Sequence, residues 1–430
     1  MKNNIKFFFL YSGLFISIFL TLFFTNAFAA QTISELQNQI TERNGEIETL
    51  EKEISEYTKE LEVIGGEKQT LQSEIHRLDI SRQKLSTDIS ITQKKISATE
   101  DTLEKIGIEI ENAESGISQS KDVIGETIQK IDEMESRSMV EIVLSTDNLS
   151  FIWRAIDELE QFQNGVKQNM RALITLKDTL ENKKEERGVE RKNLINYKSK
   201  IADQRYIVDL NKKEQNALLT ETKNKESNYE KLIAEKTRLK EEFERDLLEL
   251  ESELRITIDP DSLPPEGRGV LRWPLSSIKI TQKFGDTNFA KSGAYNGKGH
   301  NGVDFRASMG TEVFSAGRGK VVGIGNTDSI YGCYSYGKWI MIEHGNGIST
   351  LYAHLSLIKV NNGQNIEAGD IIGYSGNTGY STGPHLHFSV YATQGVKIVR
   401  LGDIKSKTNC ANARIPVAPF NAYLNPILYL

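Results

Sequence analysis

The chain has 430 residues, 53 basic and 59 acidic side chains, a net charge of −6 and 38% hydrophobic residues. That is too long for one ordinary core and too apolar for a solvated, disordered polymer. The composition also divides in two, which excludes a single uniform fold: all 8 prolines lie at or after Pro260, as do 24 of the 33 glycines.

Lys2 and Lys6 open the chain, residues 7–24 are mostly apolar, and Ala27-Phe28-Ala29 precedes Ala30. A basic start, an apolar stretch and a small-x-small site make residues 1–29 an export signal. The apolar run is also nearly long enough to span a bilayer, so retention as an anchor is the alternative. No cysteine stands at the cleavage point, which argues against a lipid anchor. The mature chain is expected outside the cytoplasm: periplasmic, extracellular or wall-associated, or held at the outer face of the membrane.

From Ile33, steps of seven give Ile33, Ile40, Ile47, Ile54, Leu61, Lys68, Ile75, Arg82, Ile89, Ile96, Leu103, Ile110, Ile117, Ile124 and Ile131. Thirteen of these fifteen positions are Ile or Leu. The intervening d positions include Leu36, Leu50, Tyr57, Ile64, Leu71, Leu78, Leu85 and Ile106. A 3.5-residue period held this long predicts an all-α coiled coil over residues 30–257. Thr92, Thr99, Ala113, Ser120 and Thr127 take later d positions and predict a thinner seam there.

Residues 139–144 are densely apolar and Ser145-Thr146-Asp147-Asn148 follows, which reads as a reversal near residues 138–156. A second helical run from about Phe151 to Ile256 carries Leu173, Leu176, Leu180, Leu194 and Ile201 on one stripe. The two runs predict an antiparallel hairpin; about 105 residues of helix would reach roughly 160 Å. A parallel dimer of two chains fits the same periodicity. The tip, with Trp153, either packs on itself or docks a partner. His76 falls beside an a position on the outer face and reads as a solvated helix residue.

Residues 258–269 are proline-rich and end the helical region. From Arg268 onward there are 16 Lys+Arg against 8 Asp+Glu, a balance of +8 that leaves −14 on residues 1–267. A basic C-terminal domain over residues 270–430 suits an anionic polymer, although a merely solvated surface gives the same count. Its glycines and prolines predict short strands, an all-β domain. Cys333 and Cys410 are the only cysteines. In an oxidising compartment an even pair commonly forms one disulfide; two separate buried thiols are the alternative.

Five of the six histidines lie in this domain. His300 and Asp304 are four apart, His385 and His387 two apart, and His354 lies between them in Tyr352-Ala353-His354-Leu355. On a strand the even spacings turn side chains to one face. Imidazoles plus a carboxylate suit zinc, with a fourth position left for water. Further histidines beside the metal could move a proton and stabilise a developing oxyanion. His344, in a turn signalled by Asn346-Gly347, reads as structural.

The segments His300-Asn301-Gly302-Val303-Asp304, Tyr352-Ala353-His354-Leu355 and Gly383-Pro384-His385-Leu386-His387-Phe388 resemble the signatures of lysostaphin-like zinc endopeptidases of bacterial cell walls. So do Trp273-Pro274, residues 310–322 and Gly376-Asn377-Thr378-Gly379. The resemblance implies a two-sheet fold with the site in a groove. It assigns one zinc ion to His300, Asp304 and His387, and the catalytic pair to His354 and His385. Peptidoglycan peptides are the implied substrate, and no nucleic-acid partner is expected. Residues 143–151 and the return helix are similar to the coiled coils of EnvC-type murein hydrolases and activators. That implies docking to a membrane complex of the FtsEX kind, in cell division or wall remodelling. Within that group a non-catalytic activator of a cell-wall amidase is the alternative, for chains that lack the zinc residues.

Overall fold

The computed structural model describes residues 33–64, 70–135, 149–253, 269–287, 299–404 and 409–430, with Leu263, Glu266 and Gly267. The expected export signal and most of the linker lie outside these residues. Of the expected tip, only the helical stretch from Leu149 is described.

Four helices come first: α1 (Ile33–Ile64), α2 (Leu71–Glu135), α3 (Leu149–Thr222) and α4 (Glu226–Glu253). Two differences from the expected hairpin stand out. The first run is two helices, although the heptad register continues through Lys68. Gly65-Gly66 sits at the gap, where each glycine costs about 1 kcal/mol of helix relative to Ala. Beyond it, Thr70 and Ser73 cap α2 reciprocally: Ser73 N donates to Thr70 Oγ1 (3.1 Å) and Thr70 N to Ser73 Oγ (2.9 Å). The return run is also interrupted, at Lys223 and Asn224, which adopt positive φ values of 50° and 53°. That left-handed pair ends one helix and lets the next begin.

The described residues form two compact units, one within residues 1–47 and 93–198, the other within residues 48–92 and 199–430. Within the first, α1 is antiparallel to α2, with Arg43 on Asp101 (2.6 Å) and Lys94 on Glu46 (2.6 Å). There α2 is antiparallel to α3, with Lys183 on Glu109 (2.9 Å) and Lys198 on Glu100 (2.9 Å). Such partly exposed pairs fix register more than they stabilise. Burial carries the packing: Leu36, Ile47, Ile96, Ile106 and Ile110 are buried, all at a or d positions. Thr99 and Ala113 are buried too, whereas Ile117, Ser120, Ile124 and Thr127 further along the same seam are only half-buried. The seam thins after Ala113 rather than where its threonines begin.

In the second unit α2 has neighbours on two sides. His76 meets Glu60 of α1, and Arg82 donates to Gln215 of α3. Ile80 and Ile91, outside the a/d seam, are buried as well, as a helix with two partners requires. Thr92 at a d position is satisfied by Gln204 (2.9 Å).

The C-terminal part of this unit is antiparallel β structure. One ten-stranded sheet contains β1 (Ile280–Gln282), β2 (Val303–Arg306), β3 (Glu312–Phe314), β4 (Gly319–Asn326), β5 (Lys338–Glu343), β6 (Ile348–Ile358), β7 (Asn365–Ile366), β8 (Ile371–Ser375), β9 (His385–Ala392) and β12 (Tyr423–Leu424). Its main path runs β1-β2-β9-β6-β5-β4-β7, with β12 on β9 and β8 joining β3 to β6. A separate ribbon pairs β10 (Lys397–Arg400) with β11 (Arg414–Val417).

Alternation in the central strands sorts the two faces. Val303, Phe305, Leu386, Phe388 and Val390 enter one core cluster with Ile340, Ile342 and Tyr352. Tyr391, Met341, Leu351, Ala353 and Trp339 enter a second cluster on the other face, with Cys333 and Cys410. These two cysteines form a disulfide. Helix α4 adds Phe243, 1% exposed, to that second cluster, and Leu247 packs against it. A third cluster joins Leu85 of α2 and Ile207 of α3 to Met309 and Tyr374. Asp203 of α3 accepts from Tyr374 Oη (3.0 Å).

Candidate metal and catalytic site

Central strands β2 and β9 lie side by side, and their register places Asp304 directly opposite His387. In the same register Val303 and Phe305 face one core, which turns Asp304 the other way. His300 precedes β2, in a bridge to Gly285 whose two backbone hydrogen bonds are both 2.8 Å long. Gly302 has no room for a side chain: a Cβ there would lie 2.6 Å from Phe388 O and 2.7 Å from His387 Cε1. That close approach lets the loop fold His300 back over Asp304 and His387.

Three ligand atoms then converge. His300 Nε2 lies 3.1 Å from His387 Nδ1 and 3.3 Å from Asp304 Oδ1, and His387 Nδ1 lies 2.9 Å from Asp304 Oδ1. His300, Asp304 and His387 are all buried. Tetrahedral zinc with ligands at about 2.0–2.1 Å would set such atoms about 3.3 Å apart, so the triangle fits with little adjustment.

The outer contacts fix which nitrogen faces inward. His300 Nδ1 donates to Lys283 O (3.0 Å), which leaves the Nε2 lone pair for a cation. His387 Nε2 pairs with Ser389 Oγ (2.8 Å), leaving Nδ1 inward. Burial disfavours charge on both groups, but the imidazoles of His385, His300 and His387 hold the Asp304 carboxyl well below its usual range. Burial pushes His387 down against the pull of Asp304. A buried carboxylate and two inward lone pairs are a donor set that calls for a cation.

His354 and His385 flank this triangle, their ring centroids 4.6 Å apart. His385 Nε2 is 3.7 Å from Asp304 Oδ1. Each is oriented through Nδ1: His354 donates to Thr378 O (2.8 Å) and His385 to Gly383 O (2.8 Å). Ser381 Oγ also lies 3.1 Å from His385 Nδ1. Both Nε2 atoms are thereby left for proton transfer or hydrogen bonding to a substrate. Burial, reinforced by His385 and His387, holds His354 well below the usual imidazole range, so it is neutral at neutral pH.

His354 is also strained. Its φ is +59°, one of three positive values among described non-glycine residues. The register of β6 against β5 shifts there, and His354 N donates to Tyr336 O (2.9 Å). A left-handed histidine held by its neighbours at a bulge is a feature of functional sites.

The structure thus brings His300, Asp304, His354, His385 and His387 together. It leaves His344 apart, bonded to Arg318 O (3.0 Å) and Thr350 Oγ1 (2.7 Å), and His76 on a helix against Glu60. The sequence reading missed Ser389, Ser381, Tyr336 and the Lys283 carbonyl. Ser389 was within reach of strand periodicity, two residues beyond His387; a backbone carbonyl leaves no trace in sequence.

Residues 298–399 match the model of peptidase family M23. The chain is 42% identical over 120 residues to peptidoglycan DD-endopeptidase ShyA of Vibrio cholerae, covering 28% of this chain and 24% of ShyA. It is 45% identical over 94 residues to glycyl-glycine endopeptidase ALE-1 of Staphylococcus capitis, covering 22% of this chain and 25% of ALE-1. Among solved structures, the catalytic domain of lysostaphin from Staphylococcus simulans matches 35% of this chain and 90% of that domain, at 30% identity and a TM-score of 0.25. The chain spans about a quarter of the length of the two curated relatives, so these likenesses concern the C-terminal domain.

Proposed function

We propose that this chain, which carries a peptidase family M23 domain over residues 298–399, is an exported zinc metallo-endopeptidase that hydrolyses peptide cross-links of peptidoglycan. The observation that carries the reading is the convergence of His300 Nε2, Asp304 Oδ1 and His387 Nδ1 within 4.8 Å of one another, beside two further imidazoles. His300, Asp304 and His387 would hold the ion. Zinc supplies there a Lewis acid and a water of lowered pKa.

The remaining steps fall to the chain's own groups. His354, neutral and fixed through Nδ1, presents Nε2 to take a proton from the attacking water. His385, likewise fixed through Nδ1, would have to carry a second proton on Nε2 to hydrogen-bond the scissile carbonyl oxygen as negative charge grows on it. The proton that His354 takes from the water would then pass to the leaving amine. Both must hold position without reorganising, which their carbonyl partners provide. Only His385 among the five keeps appreciable exposure, 18% of its side chain, so substrate would meet that edge first.

Relatives named for DD-endopeptidase and for glycyl-glycine endopeptidase activity support peptide cross-links as the substrate class. The alternative role, a non-catalytic activator of an amidase, needs a site that has lost ligands; here all five side chains are present. Export rests on the N-terminal segment. The helices are proposed to serve recruitment or control through a membrane complex of the FtsEX kind, at the apolar segment 139–156. Deleting residues 139–156 should abolish localisation to that complex; unchanged localisation would refute the docking role. For the enzyme itself, zymograms on purified wall material compare wild type with His387→Ala. Clearing by wild type alone is expected, and equal clearing by both would defeat the reading.

A further inference from the structure

Tyr336 stands just before β5 and touches three parts of the site at once. Its carbonyl accepts from His354 N (2.9 Å), the contact that holds that histidine in its left-handed conformation. Its ring packs on the ring of His387, centroids 5.7 Å apart. Its hydroxyl accepts from Asn301 Nδ2 (2.8 Å), and Asn301 directly follows His300. Asn301 itself belongs to the tight loop that the close approach at Gly302 imposes.

The tyrosine is itself held from behind. It is 6% exposed, and its hydroxyl lies 3.4 Å from Tyr391 Oη. The Tyr391 ring packs on Tyr423, centroids 4.8 Å apart, and Tyr423 Oη donates to Glu251 Oε1 (2.6 Å) on helix α4. Three residues earlier, Cys333 is tied to Cys410. One side chain is thus clamped by a carboxylate, two phenols and a disulfide, and is placed against a candidate ligand, the loop bearing another and a catalytic histidine. Simple core filling would need the ring alone. A buried hydroxyl costs free energy unless its hydrogen bonds are made, and here they run to Asn301 and Tyr391.

We propose that Tyr336 is a positioning residue of the metal centre, fixing the His300–Asn301 loop through its hydroxyl and the His387 ring through its own ring. The proposal rests on the metallopeptidase reading above. Groups that orient metal ligands typically cost about 10–100-fold in metal affinity or activity when removed.

Tyr336→Phe keeps the ring and deletes the hydroxyl, and Asn301→Ala removes the other end of the same hydrogen bond. Full-length wild type, both single variants and the double variant would be stripped of metal and titrated with zinc against a chromophoric chelator. The kcat and KM on a cross-linked muropeptide would be measured on the same samples, with melting curves of the metal-free proteins. The expected result is zinc affinity about tenfold weaker in each single variant, lower kcat with KM within about twofold, and a double variant no worse than either single one. A metal-free Tm close to wild type would separate positioning from stability. Wild-type zinc affinity and kcat in Tyr336→Phe, or strictly additive losses in the double variant, would overturn the proposal. If wild type binds no zinc, the metal centre itself fails and this role with it.

Discussion

His354 and His385 differ from the three candidate ligands in what their removal should do. Neither imidazole belongs to the His300–Asp304–His387 triangle, and each is tied through Nδ1 to a carbonyl. His354→Ala should therefore keep its zinc while losing about 10²–10⁴ in kcat, the usual worth of a positioned acid or base. Metal content and steady-state rates on one preparation check this; loss of the metal together with activity would make His354 a ligand. The neighbouring backbone is equally constrained. Gly379 has φ +77°, and a Cβ there would lie 2.1 Å from Ser335 O. Gly379→Ala must displace the Thr378–Gly379 backbone, whose Thr378 carbonyl orients His354. A cost of about 1–3 kcal/mol is expected for such a left-handed site, with kcat falling alongside the melting temperature; full activity would show the clamp is dispensable. These side chains were legible in sequence to different degrees. The even spacings of His300 with Asp304 and of His385 with His387 suggested a metal site. The division into three ligands and a catalytic pair, and the inclusion of the isolated His354, came from the resemblance to lysostaphin-like endopeptidases. Ser381 and Tyr336 did not stand out, since a serine in a loop and a tyrosine before a strand look alike wherever they occur.

At the scale of elements, periodicity located the helices but not their ends. The a/d pattern runs on through Lys68 and so hid the stop at Ile64; only the Gly65-Gly66 pair and the Thr70–Ser73 cap betray it. A pattern of apolar residues reports which face is buried, not how many partners bury it, and α2 turns out to have two. Helix α4 shows the same limit. Its Glu/Lys-rich sequence reads as part of a solvated arm, yet Phe243 fills the cluster that holds Tyr336, Trp339 and the disulfide. Phe243→Ala in the full chain should cost about 3–5 kcal/mol and should lower the transition seen by tryptophan fluorescence, because Trp339 shares the cluster. An unchanged transition would mean that α4 is only loosely attached to the β structure.

For the molecule as a whole, the expected export signal, the oxidised cysteine pair and the proposed wall-peptide substrate are mutually consistent. The Cys333–Cys410 bridge closes 77 residues of sequence and spans the strands that carry His354, His385 and His387. Removing a native disulfide from a small secreted domain typically costs about 2–5 kcal/mol. The double variant Cys333→Ser/Cys410→Ser should accordingly unfold at lower denaturant, and folding as stably as wild type would deny the bridge a structural role. The proposed activity depends on a narrower condition, that one cation sits among His300, Asp304 and His387. The most direct measurement is the rate at which metal-free full-length protein cleaves a cross-linked muropeptide as zinc is added in known equivalents. The rate should start near zero, rise linearly and level off at about one zinc per chain; cleavage at full rate before any metal is added would contradict the account.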